Sequence, residues 1–471
     1  MNLKVECESL NFGQTLEFTR IWLFEAGSGD TFSPMTTNGA RRGKLATFSW
    51  ALWDWAEQPY PTIIQTFIFA TYITSSYFGD PDENTHLLSW TMIISGVLVA
   101  LISPVFGRRA DEAGKRKFWL LLQSGILIAI MAASYFVAPT PAFLIFGLVL
   151  YGIGNVVQET AFINYYAMLK QVTKEHNIGK VSGYAWALGY VGGILLLLVS
   201  LIGFVLPETP WFGVATENAE NIRVLFLFSA IWMLVFSIPL ALFVPEVDAS
   251  ATRKKENLFG AYRALWSQLK SLRAQAPETL KFLISSAIYR DGLAGVFSFG
   301  AVLGTVAFGF SKTEVIFFGI AANLVAGLGA ALGGVFDKIL GTRNTIIVSL
   351  SGLLIAGTGV FVFANAGQIT YWIGGLLLCL FVGPAQASSR TFVAKFTPQG
   401  REGEVFGLYQ TTGRAASFLS PSFWAIATGI AAALGVEHTA IFGVLGLVLV
   451  LAVGLVLLTR VNPNPAVIES N

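Results

Sequence analysis

Twelve stretches of about 20 or more predominantly apolar residues follow one another along this chain, and each is long enough to cross the roughly 30 Å hydrocarbon core of a bilayer as a helix. They run approximately over 45–78, 87–107, 117–138, 142–168, 180–206, 222–245, 280–308, 313–336, 344–364, 369–395, 402–433 and 438–460. Lipid offers no hydrogen bonds to a backbone, so runs of this length must satisfy their own N–H and C=O groups as helices. Composition agrees. Of 471 residues 54% are hydrophobic and only 12% charged, about half the charge usual in a soluble domain. The expected class is an all-α integral membrane protein.

The same totals exclude several functions. A formal net charge of +2 does not suit a nucleic-acid partner. Two cysteines, Cys7 and Cys379, and three scattered histidines, His86, His176 and His438, make no disulfide framework and no metal spacing. No phosphate-cradling loop or nucleophile elbow is present, so neither an enzyme nor a cofactor is expected.

Lysine and arginine set the orientation, because short cytoplasmic loops are enriched in them. One set of loops holds Arg41, Arg42, Lys44, Arg108, Arg109, Lys115, Arg116, Lys117, Lys170, Lys174, Lys180, Lys338, Arg343, Lys395, Arg401 and Arg460. The opposite set is acidic or neutral apart from Arg223 and Lys312. Both termini are therefore expected in the cytoplasm, in a multi-pass protein of the plasma or inner membrane. Between the sixth and seventh runs, "NLFGAYRALWSQLKSLR" (257–273) aligns Leu258, Tyr262, Leu265, Trp266, Leu269 and Leu272 on one stripe with basic residues off it. This predicts an amphipathic helix on the anionic inner leaflet. The expected organisation is a tail over 1–44, a first bundle over 45–245, a linker over 246–279, a second bundle over 280–460 and a tail over 461–471. Residues 1–34 are expected to be disordered or to precede a natural start at Met35.

The halves repeat. "GRRADEAGKRK" (107–117) follows the second run and "GGVFDKILGTR" (333–343) the eighth. Gly107 and Asp111 match Gly333 and Asp337, and in each copy a further glycine (Gly114, Gly341) and a basic residue (Arg116, Arg343) follow. "GKVSGYAWALGYVGG" (179–193) is echoed by "GREGEVFGLYQTTGRAAS" (400–417), pairing Gly183 and Gly189 with Gly407 and Gly413. Small residues at such spacing let helices approach closely. Two six-helix bundles related along the membrane normal follow.

With these turns the chain resembles the major facilitator superfamily, whose hallmark is a Gly-x-x-x-Asp turn after helices 2 and 8. The first copy carries Glu112 where that family favours a basic residue, and the second separates Asp337 from Gly341 by four positions instead of three. "SWALWDWAEQPYPTII" (49–64) and the two glycine-rich segments resemble the vacuole-effluxer-like branch. The resemblance implies the major facilitator fold over about 43–460, with the two turns gating the cytoplasmic side. It also implies that helices 1, 4, 7 and 10 line a central cavity. Members of the branch include a fungal vacuolar exporter of amino acids.

A charge at the bilayer centre costs about 2.5–3.5 kcal/mol on insertion scales, so ionic side chains within the runs should face a cavity or a partner. Asp54 and Glu57 lie in the first run, Glu159 in the fourth, Arg290 and Asp291 in the seventh, Arg390 in the tenth and Arg414 in the eleventh. Six of the seven fall on the four helices the resemblance assigns to the cavity. Depth suggests a midplane cluster of Asp54, Glu57 and Arg290, and an inner gate pair of Glu159 with Arg390. Arg414 is expected to serve packing, on a helix peripheral in this architecture. Gln58, Asn155, Gln158, Gln386 and Gln410 supply polar neighbours, and Trp53, Tyr60 and Tyr289 are candidate ligand-flanking rings. Fixed internal ion pairs that only specify helix packing are the plain alternative. Pro59 should free a carbonyl and bend the first helix.

The expected function is secondary active transport by alternating access, coupled to a proton at Asp54 or Glu57, with a small solute of both charge signs such as an amino acid or peptide, and with export favoured. A monomer is expected. The alternatives are a non-transporting sensor of solute or lipid, and a lipid transporter of the same fold.

Overall fold

The computed structural model describes residues 37–246, 277–397, 401–436 and 438–462. Residues Gly43–Asn471 form one unit, which holds everything described below except the first residues of α1, 37–42. The expectations for residues 1–34, for the amphipathic helix over 257–273 and for most of the C-terminal tail lie outside the described residues.

Each apolar run becomes a helical span. The first, α1, starts at Thr37–Ala56 and continues as a π-helical turn over Tyr60–Phe67 and a short helix over Phe69–Ile73. Then come α2 (Pro81–Ala113), α3 (Arg116–Ser134), α4 (Leu144–Ala167), α5 (Ile178–Ser200, continued by Leu201–Val205) and α6 (Glu220–Phe243). The second bundle comprises α7 (Pro277–Val302, continued by Leu303–Ala307), α8 (Lys312–Leu340), α9 (Thr342–Val362) and α10 (Gln368–Phe396). It ends with α11, in two pieces (Glu402–Ala416 and Leu419–Ala433), and α12 (Ala440–Thr459). The described residues contain no strand. Ten spans pass for membrane-crossing on length and composition alone. The two that do not are the interrupted α1 and α7, which carries Arg290 and Asp291 in its middle. Helix α1 begins inside the expected tail and α7 inside the expected linker, since no proline follows the first residue of either helix before its apolar run.

Two interruptions position the site. Pro59 has no N–H, so the carbonyl of Trp55 loses its helical partner. The indole of Trp232 on α6 fills the vacancy, donating to Trp55 O at 3.1 Å. Its ring stacks on that of Trp55 at 5.4 Å. In α11 the break falls at Ser417–Phe418, and Pro421 sits in the first turn of the upper piece, where a missing N–H costs nothing. Asp291 of α7 accepts the freed N–H of Ser420 at 2.6 Å.

The bundles meet chiefly through α2 against α11 and α5 against α8, the pairing that the repeat requires. Among the described residues the loops rich in lysine and arginine bond to one another at one end, called here the basic end: Arg116 to Glu402, Lys170 to Thr397 O, Lys117 to Val244 O, Lys395 to Thr342 and Arg343 to Thr459 O.

Candidate functional site

At the basic end the bundles touch main chain to main chain. A side chain at Gly107 would collide with Gly403 O, and one at Gly407 with Ser103 O at 2.6 Å. On the other flank, a Cβ at Gly183 would lie 2.5 Å from Ala330 O. Gly189 and Gly413 instead accommodate neighbours within their own bundles, Gln58 and the Arg290 guanidinium respectively.

Asp111 fastens the first flank. Its carboxylate accepts from the backbone N–H groups of Gly403 and Glu404 at 2.9 and 2.8 Å, at the amino end of α11, where the helix dipole favours a negative charge. Arg116 donates to Asp111 at 2.6 Å and to Glu402 across the interface at 2.6 Å. The turn itself needs Gly114, which adopts a φ of 62°. The second copy is built differently. Gly341 turns at φ 82°, one residue later, and the extra residue rotates Arg343 away from Asp337. Arg343 donates to the carbonyls of Leu458 and Thr459 on α12, while Asp337 accepts from Ser388 at 2.7 Å. Gly333 faces Pro384 of its own bundle, and its neighbour Gly334 makes the close approach to Gly179 of α5. Beside these turns Lys170 donates to Thr397 O at 2.6 Å, and burial lowers its proton affinity against the opposing pull of Glu402 and Glu175.

Above this seal lies a cavity of about 240 Å³ between the bundles. Glu159, Tyr166 and Trp186 line it from the first bundle, and Arg290, Asp291, Gln386, Arg390, Gln410 and Arg414 from the second. The charges pair otherwise than their depth in the sequence suggests. Arg390 donates to Asp54 at 3.2 Å, not to Glu159. Glu159 accepts from Arg414 and, at 3.1 Å, from Gln410, so Arg414 is a cavity residue bridging α11 to α4. Arg290 does not join Asp54 and Glu57. It donates to Tyr409 O at 3.0 Å and Gln410 at 2.8 Å, and lies 3.8 Å over the Tyr409 ring. Among the described residues it has no carboxylate partner. Glu57 is buried, accepts from Gln58 and Gln158 at 2.8 Å each, and has no cationic partner among the described residues.

The three candidate rings are elsewhere. Trp53 donates to Ser124 at 3.0 Å, Tyr60 donates to Tyr151 O at 2.9 Å, and Tyr289 bonds Ser389 at 2.7 Å. All three are fully buried within their own bundles. Neighbouring residues on a helix point about 100° apart, so Arg290 reaches the cavity while Tyr289 turns into the bundle. Asn155 is likewise internal, accepting from Gln65 and donating to Ser95. Gln386 accepts from Tyr190 at 2.7 Å and faces the cavity. Trp186, Tyr166 and Tyr409 escaped the sequence reading, although Trp186 stands inside the quoted glycine-rich segment of α5, one turn after Gly183.

Two matched bundles, a seal of glycines and paired turns, and an ionic cavity between them define the major facilitator fold. A solved structure described as the proton:xylose symporter XylE shares it, with a TM-score of 0.68 at 13% identity, over 89% of this chain and 95% of that one. The family described as vacuole effluxer Atg22 like matches residues 84–469, and the chain belongs to it. Among its relatives, the uncharacterized MFS-type transporter YxiO of Bacillus subtilis strain 168 is 25% identical over 88% of this chain and 94% of its own length. Autophagy-related protein 22 of Kluyveromyces lactis is 23% identical over 71% of this chain and 72% of its own. The protein is a multi-pass membrane transporter, and not an enzyme.

Proposed function

We propose that the protein is a secondary active transporter that exports a small zwitterionic solute, an amino acid or short peptide, in exchange for protons. The bundles rock about the central cavity, and the described conformation has the basic end shut. By the distribution of lysine and arginine that end is cytoplasmic, so the cavity stands toward the outer face. The observation that carries the reading is a set of ionic groups, charged and incompletely paired, held between two bundles that are sealed at one end only by removable contacts.

Arg290 offers its guanidinium to a solute carboxylate, since its present partners are a carbonyl, an amide and a ring. Glu159 from the first bundle and Asp291 from the second offer carboxylates to an ammonium group in the same cavity. Glu57 is the proton carrier: two amides hold its carboxyl in place in either protonation state, and no cation fixes it as an anion. The family's description as vacuole effluxers supports movement of solute out of an enclosed compartment.

Proteoliposomes loaded with labelled amino acids or dipeptides and placed in an inward or outward pH gradient test this. Solute flux should follow the proton gradient in the wild type. In Glu57→Gln, where one of the two neighbouring amides turns over to offer its oxygen to the new NH2, solute–solute exchange should persist while the response to pH is lost. Full pH-driven flux in that variant would remove Glu57 from the coupling, and no flux of any zwitterion would remove the solute class.

A further inference from the structure

Among the described residues, every partner of the Arg390 guanidinium belongs to the other bundle. The side chain is 1% exposed. Its Nε and Nη2 donate to the Oγ and carbonyl of Ser182 at 2.8 and 2.6 Å, and Nη1 donates to Asp54 at 3.2 Å. Four rings surround it: Trp50, Tyr165, Tyr166 and Trp186 have centroids 5.3, 5.6, 5.2 and 5.6 Å from its Cζ. Trp50 and Asp54 come from α1, the tyrosines from α4, and Ser182 and Trp186 from α5. Rings at this range attract a cation through their quadrupoles, and do so most strongly out of water. The Trp186 indole N–H has no acceptor among the described residues.

Arg390 lies near the carboxyl end of α10, at the sealed end of the molecule. Opening that end carries α10 away from α1, α4 and α5 and withdraws the guanidinium from its box. What stays behind is a buried carboxylate enclosed by aromatic faces, a constellation that a neutral or anionic group cannot satisfy and a cation can.

We infer that this box of Trp50, Tyr165, Tyr166, Trp186 and Asp54 binds the ammonium or guanidinium group of the solute, and that Arg390 occupies it as a tethered substitute while the basic end is shut. The inference rests on the alternating-access reading for its place in transport, and it narrows the solute to one bearing an organic cation. A solute cation entering from the basic end prevents Arg390 from returning until the solute moves on.

Arg390→Ala empties the box without any need for the bundles to move. The purified variant, titrated with low-millimolar methylguanidinium against sodium chloride at equal ionic strength, should gain thermal stability and show saturable change in tryptophan fluorescence. The wild type, its box filled, should show neither. Adding Asp54→Asn should weaken that binding about tenfold or more. Should Arg390→Ala fail to fold, Arg390→Gln serves in its place, since it keeps a donor toward Ser182. A folded variant that binds neither methylguanidinium nor ethylammonium overturns the inference. Binding in the variant with no solute exchange by wild-type proteoliposomes would instead retain the box and sink the transport reading.

Discussion

At the scale of single residues, the ionic groups in this bilayer-spanning protein fall into two kinds. Arg116, Asp111 and Glu402 are saturated with partners and hold a shape. Glu57 and Arg290 are held by neutral groups, so Glu57 is free to change charge and Arg290 to change partner. The Glu159–Arg414 pair lies between these kinds, since both side chains are partly open to the cavity, at 18% and 30% exposure. Either single change, Glu159→Gln or Arg414→Gln, should lower stability by about 1–2 kcal/mol, less than for a fully buried pair. The exchange Glu159→Arg with Arg414→Glu should recover most of it. Thermal unfolding of the purified variants reads both, and an exchange no more stable than the worse single change would show that the bridge contributes nothing. Which residues carry charge within the membrane was legible from their rarity and cost. Which of them pair was not, because a helical sequence fixes the direction of a side chain on its own helix and says nothing of the rotation of the facing one. Arg390 and Glu159 lie at similar depths, yet Arg390 turns toward α1 and α5, leaving Glu159 to α11.

At the scale of elements, length and apolarity located every span, most ends to within about four residues, with α1 starting eight residues early and α2 exceeding its run by six at each end, since the bilayer sets their length more firmly than packing does in water. The interruptions were half legible. Pro59 announced a freed carbonyl, but nothing in the sequence named Trp232, 173 positions away from Pro59 and about 177 from the carbonyl it serves, as the donor that would occupy it. Trp232→Phe keeps the stacked ring and removes the donor, so it should cost about 1 kcal/mol. Pro59→Ala restores the helical N–H, and the Trp232→Phe penalty should then largely vanish in the double variant. Additive losses in a thermal-unfolding cycle would disprove the substitution of one donor for the other. The break in α11 went unread, because Ser417 and Pro421 are as compatible with a continuous helix beginning a new turn as with two pieces; Asp291 on another helix decides the matter.

For the whole molecule, the repeat was legible in the glycines and in Asp111 and Asp337, while the pairing of α2 with α11 and α5 with α8 emerged only from the structure. The unequal build of the two turns was not, since one added residue before Gly341 changes what Arg343 reaches only once α12 is in place. The seal depends on backbones meeting without intervening side chains. Gly183→Val would force Ala330 and its helix outward, so it should hold the basic end ajar. Single cysteines placed near that end on α5 and α8 should then react several-fold faster with a water-soluble maleimide than in the wild type. Unchanged rates would mean that the flank tolerates bulk and is not a barrier. The divided α11 adds something that rigid rocking of two lobes does not provide. Its lower piece carries Gln410 and Arg414 and rests on α2, whereas its upper piece is pinned to α7 by Asp291 and packs on α12. The elbow at Ser417–Phe418 thus joins a piece that touches the other bundle to a piece that packs within its own, and a bend there would let the lower arm leave α2 before either lobe as a whole has tilted, once Arg290 gives up its bonds to Tyr409 and Gln410.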